Sequence, residues 1–162
     1  MGTEIEDMLS QAYELCEDGN YSEAIRLYDH ILKKAPDNIH ALIDKAVTLQ
    51  NTGKISQSIK LYDKALKINS SNLDALINKG SALHTAEKYK EAIDCYDLAI
   101  KIDNKCAMAL AYKGLSLGEI GKLEDAIKHF KKALAIDSDY DLAQISKKLA
   151  QDLLKNKKSK KL

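Results

Sequence analysis

"ALINKGSALHTAEKYKEAIDCYDLAIKID", residues 75–103, holds two helical stretches parted by one short break. The first carries Gly80, and the second carries Ala92, Ile93 and Tyr96. Each of these positions recurs along the chain with a spacing of 34 residues. Tyr28, Tyr62, Tyr96 and Phe130 form one column, and Ile25, Ile59, Ile93 and Ile127 form a second. Two columns of small residues complete the pattern: Ala24, Ser58, Ala92 and Ala126, then Ala12, Ala46, Gly80 and Gly114. A fixed period of this length marks a repeat architecture, in which one helical hairpin cannot bury its own apolar face and must stack on the next.

Within the second unit, Leu42, Ala46 and Leu49 make a helical stripe that Asn51-Thr52-Gly53 interrupts. Ile55, Ile59, Tyr62 and Leu66 make the next stripe, which ends at Asn69-Ser70-Ser71-Asn72. Gly19, Gly53 and Gly121 stand at the break, where a left-handed residue ends the first helix without steric cost. Glu87 holds that place in the third unit and is expected to strain its turn. Ser22 and Ser56 are expected to cap the second helices.

These columns, with "NYSEAIRLYDHILKKAPDN" at residues 20–38, resemble the tetratricopeptide repeat over roughly Ile5 to Tyr140. The resemblance implies an all-α fold: an α-solenoid, wound as a right-handed superhelix of four hairpins plus a C-terminal capping helix. The expected units are residues 5–38, 39–72, 73–106 and 107–140, then a cap over 141–155 and a basic disordered tail over 156–162. In the cap, Leu142, Ile145, Leu149 and Leu153 fall on one face, while Gln144, Lys147, Lys148 and Gln151 replace the apolar or small residues that a further repeat needs. Lys45, Lys79 and Lys113 fill a column that the family usually gives to leucine, and are expected to lay their stems on the array and keep their heads in water. Ser70, Asn104 and Ser138 stand where the family often ends a repeat with proline, as Pro36 does here.

Composition narrows the function. The 162 residues suffice for one short array. Cys16, Cys95 and Cys106 are odd in number and widely spaced, which suits thiols in a reducing compartment and a cytoplasmic location. The acidic first fifteen residues have no apolar core, and no run reaches the roughly 18 apolar residues of a membrane span. His30, His40, His84 and His129 lie on different helix faces without zinc spacing, and no glycine-rich phosphate loop is present. No catalytic residue, cofactor or metal is expected, and the chain is taken as a non-catalytic scaffold or adaptor.

The family resemblance places partner binding on a concave wall built from the first helix of each hairpin. The expected contact set is Leu9 and Tyr13; His40, Ile43, Asp44 and Val47; Asp74, Ile77, Asn78, Ser81 and His84; Met108, Tyr112, Leu115 and Glu119. Glu6, Ser10, Cys16, Glu17, Gln50, Asn51, Thr85, Ala111 and Gly118 complete the wall. Its 24 positions include five acids and no lysine or arginine. No carboxylate clamp for heat-shock-chaperone tails is expected on such a wall, and no nucleic acid, since phosphates need clustered cations. An apolar or basic amphipathic segment of another protein suits it. Charge is also divided along the chain, with a net of −5 over residues 1–146 and +6 over 147–162. The basic end is open to three readings: a solvated terminus, weak attraction to nucleic acid or anionic membrane, or head-to-tail docking on the acidic first repeat of another copy.

Overall fold

A computed structural model describes residues 2–159, and among these the secondary structure is entirely helical. The helices are α1 (Gly2–Glu17), α2 (Tyr21–Lys34), α3 (Ile39–Asn51), α4 (Ile55–Ile68), α5 (Leu73–Thr85), α6 (Tyr89–Ile102), α7 (Ala107–Glu119), α8 (Leu123–Ile136) and α9 (Asp141–Ser159). They gather into two compact units, residues 1–82 and 83–162. The last helix continues through Ser159, past the Lys155 end expected for it and into the stretch expected to be unstructured. Residues 160–162 of that stretch lie outside the described residues.

The ring column is the centre of each core. Tyr28, Tyr62, Tyr96 and Phe130 are at most 2% exposed. In the N-terminal unit, Tyr28 clusters with Ala12 of its own hairpin and Ala41 of the next. Tyr62 does the same with Ala46, and with Ala75 and Ala82 of α5. In the C-terminal unit, Phe130 packs with Ala143 and Ala150 of α9, so the last helix receives the ring as a further hairpin would. A methyl group or a hydrogen on the facing helix leaves room for a ring, and burial of each ring removes a large apolar surface from water. Gly114 shows how tight the fit is: a Cβ built there would lie 2.7 Å from Phe130 Cε1.

Each first helix ends in a left-handed residue. Gly19, Gly53 and Gly121 have φ of 76°, 78° and 78°, and Glu87 is forced to 60° in their place. The next amide reaches back to close the turn, as in Asn20 N to Leu15 O at 2.7 Å and Lys88 N to Leu83 O at 2.9 Å. This closure starts α2 and α4 one residue before Ser22 and Ser56, whose hydroxyls therefore do not cap; Asn20 and Lys54 hold the cap positions and make no side-chain cap bond. The side-chain caps lie at the starts of first helices instead, where Asn38 Oδ1 accepts from Ala41 N at 2.9 Å and Asn72 Oδ1 accepts from Ala75 N at 2.8 Å.

The missing prolines are compensated one residue earlier. Asn69, Asp103 and Asp137 each accept a hydrogen bond from the backbone N–H two residues on, at 3.0, 2.9 and 3.2 Å. These Asx turns fix the loop that a proline would otherwise stiffen. The lysine column is also tied down. Lys79 Nζ sits 2.7 Å from Asp63, and Lys45 and Lys113 pair in the same way with Asp29 and Asp97. The heads expected in open water are thus held by the preceding second helix, and the lysines are far less exposed than the aspartates they meet.

A left-handed non-glycine residue costs about 1–2 kcal/mol. Glu87→Gly should therefore stabilise the chain by about 1 kcal/mol, read as a higher denaturation midpoint at unchanged m-value. Gly114→Ala should lower the midpoint, because overpacking against a buried ring costs about 1–3 kcal/mol and outweighs the gain in helix propensity of about 1 kcal/mol.

Candidate functional site

The expected wall residues divide into those consumed by packing and those left open. Ile43 and Ile77 are only 8% and 6% exposed, and Ile43 belongs to the Tyr62 core. Val47 is half-buried against the same core, and Leu9 is half-buried against the Tyr28 core. These four lend the wall its stiffness more than its contact surface. Tyr13 and Met108 stand out, at 61% and 47% exposed. His40, Asp74 and Glu119 are exposed as well.

A column that sequence reasoning missed joins successive first helices. Cys16 Sγ lies 3.3 Å from Thr48 Oγ1, Gln50 Nε2 donates to Ser81 Oγ at 3.2 Å, and His84 Nδ1 lies 2.9 Å from Ser116 Oγ. Cys16, Gln50 and His84 are 34 residues apart, so the period was visible. Their residue types share no chemistry beyond polarity, which hid the column. His84 and Ser81 are therefore cross-ties. His84 also stacks edge-on to Tyr89, with centroids 5.1 Å apart, and burial pushes its pKa below the usual range against the pull of Glu119.

In the N-terminal unit Tyr13 borders a cleft of about 220 Å³. Tyr13, Tyr21 and Tyr28 give it aromatic walls, Glu17 and Asp44 give it acids, and no lysine or arginine lines it. Asp44 is half-buried on α3. Burial holds its carboxyl above the usual range; the charge of Asp74 adds to that and His40 opposes it. Beside it, the Tyr28 hydroxyl joins Cys16 and Thr48 and is raised well above an ordinary phenol, mainly by burial. Asn78 is half-buried on α5. In the C-terminal unit, Tyr112 is half-buried and meets Tyr96 edge-on at 6.0 Å, while Leu115 packs against the Phe130 core. Among the described residues no cluster of His, Cys, Asp and Glu could hold a metal ion, and no helix is long and apolar enough to cross a membrane.

Comparison with known proteins accords with this geometry. Residues 6–106 match the model for the Psidin N-terminal TPR repeats region, and residues 109–140 match the tetratricopeptide repeat. The chain belongs to the tetratricopeptide-repeat family. Among solved structures it is similar to MamA, with 26% identity over 87% of this chain and 82% of that one, at a TM-score of 0.80. It is also similar in fold to the first TPR of Spaghetti (RPAP3) bound to an HSP90 peptide, with 22% identity over 72% of this chain and 92% of that one, at a TM-score of 0.69. A tetratricopeptide repeat protein from Parabacteroides merdae shares the fold at 19% identity and a TM-score of 0.82, over 94% of this chain and 60% of that one. No curated protein sequence matches. These likenesses place the chain in the α-solenoid class of TPR proteins.

Asp44 is destabilising when charged, because the folded chain holds its proton more firmly than the unfolded chain does. Its folded pKa is raised, so the folded state binds more protons between the unfolded value near 3.9 and the raised folded value, and stability falls as pH rises through that window. Asp44→Asn should therefore raise the melting temperature at pH 7. The gain should vanish below about pH 4, where both states of the parent carry the proton.

Proposed function

We propose that this TPR protein is a non-catalytic scaffold that binds an apolar, basic amphipathic segment of another protein along its first-helix faces. The observation that carries this reading is the cleft around Asp44. A half-buried carboxylate whose cleft no lysine or arginine lines is held in an unfavourable state. A lysine or arginine side chain entering the cleft relieves that state and lies against the faces of tyrosines, which attract cations. Tyr13 at the rim offers a large exposed ring for an apolar neighbour on the same segment. The acids at Asp74 and Glu17 extend the same preference.

The Spaghetti (RPAP3) neighbour is bound to the HSP90 peptide SRMEEVD, an acidic sequence. The present chain lines its N-terminal cleft with Tyr13, Tyr21 and Tyr28, with the acids Glu17 and Asp44 among them and no lysine or arginine, and so favours the opposite charge. A cytoplasmic setting fits three cysteines that are thiols. A second reading has the segment supplied by another copy: residues 155–162, with five lysines, are complementary to the acidic first repeat and would dock there head to tail.

Fluorescence anisotropy with a labelled leucine–lysine amphipathic peptide, and with its leucine–glutamate counterpart, tests the reading. The basic peptide should bind and the acidic one should not. Asp44→Asn should weaken binding about tenfold, as loss of a charge-assisted contact of about 1.5–3 kcal/mol implies. Equal or tighter binding of the acidic peptide sinks the proposal.

A further inference from the structure

The cross-tie between first helices stops at the fourth hairpin. Where Cys16, Gln50 and His84 stand in the earlier units, α7 has Gly118, and the position equivalent to Ser116 in α9 is Ala150. With both partners reduced to small apolar residues, a cleft of about 200 Å³ opens between α7 and α9, lined by Leu115, Gly118, Glu119, Leu149 and Leu153 among others. The packing face of α9 is not the one its large residues mark. Ala143 and Ala150 are buried and Leu154 packs on the core, because only small side chains let the helix close on Phe130. Ile145, Leu149 and Leu153 are left 69%, 59% and 48% exposed. Spaced by four residues, they form one line along the helix. Single exposed apolar residues need no account, but a continuous line beside an apolar cleft marks a contact surface.

The charges beside the line indicate what covers it. Asp141, Lys148, Asp152 and Lys155 are all exposed and follow one flank in alternating sign. Reversed in direction, the same flank reads plus, minus, plus, minus. A second α9 laid antiparallel, with a two-fold axis at Leu149, sets Leu149 on Leu149 of the partner subunit and Ile145 opposite the partner's Leu153. The same placement brings Lys148 to Asp152 of the partner subunit and Asp141 to the partner's Lys155, each pair occurring twice by symmetry. Antiparallel helices meet along like flanks, so all four charges find opposite sign together. An anionic bilayer fits the flank less well, since Asp141 and Asp152 would face its headgroups.

We propose that α9 docks on the α9 of a second copy, antiparallel, and makes a closed two-fold dimer. The contact is independent of the Asp44 cleft and differs from head-to-tail docking, which would not close at two. One helix pair buries area at the lower end of stable interfaces, about 1,000 Å², so the dimer dissociates on dilution.

Sedimentation velocity of the full chain from about 1 μM to about 1 mM tests this, with circular dichroism confirming the helix content of each variant. The expected result is monomer passing to dimer with no larger species. Leu149→Glu puts two carboxylates on the axis and should weaken the dimer at least about 100-fold. Lys148→Glu and Asp152→Lys should each weaken it about tenfold, and the two together should restore it to within about threefold, since the swap keeps every pair opposite in sign. The proposal is overturned by a chain monomeric at the highest concentration, by growth beyond the dimer, by a dimer indifferent to Leu149→Glu, or by a double swap as weak as the single changes. Retention of a strictly monomeric chain on phosphatidylserine vesicles would assign the line to a membrane instead.

Discussion

A buried ring lodged where the opposing helix has almost no side chain is the contact on which this protein depends. Tyr28, Tyr62 and Phe130 each reach into two neighbours at once: the small residue of their own hairpin, and alanines on the helix that follows. The ring therefore sets the angle within a hairpin and the distance to the next. Because each unit is satisfied only by its successor, the chain needs a final helix that offers alanines without carrying a ring of its own. The helix α9 meets that need with Ala143 and Ala150.

Around the rings, polar ties of the same period hold neighbouring helices in register. The lysine–aspartate pairs run from second helix to first, the Cys16, Gln50 and His84 ties run from first helix to first, and the Asx turns fix the loops. Exposed ion pairs contribute little stability singly, but they discriminate between registers, since a slipped helix would leave a half-buried lysine beside apolar surface. The open surface of the first helices is what remains after these ties are made. Asp44 is conspicuous there because the half-buried Lys45, Lys79 and Lys113 each pair with an aspartate of the preceding second helix, whereas no lysine or arginine lines the cleft at Asp44.

The hairpins and the ring column were legible in the sequence because residues of one kind recur at one spacing, and the strain at Glu87 because it breaks the glycine column. What escaped needed a partner to be known. Ser22 and Ser56 look like caps until the glycine turn is built and the helix begins one residue earlier. The large residues of α9 share one face in the sequence, whereas a helix packed on a ring closes through its smallest residues, here Ala143 and Ala150. Ile43 and Ile77 read as anchors for a ligand by position, yet the first helices lie close enough to bury them. The cross-tie column hid because cysteine, glutamine and histidine do the same task there with unrelated chemistry.

The lysine–aspartate pairing has an end as well as a period. Continued by 34 residues, the pair Asp97 and Lys113 becomes Lys131 and Lys147, two like charges on α8 and α9. An internal duplication of one block would thus bring its own attractive rung with it. A block appended after the fourth would inherit a repulsive one. Growth of such an array by copying a block is favoured from within, since the charges match between the hairpins and clash where Lys131 meets Lys147.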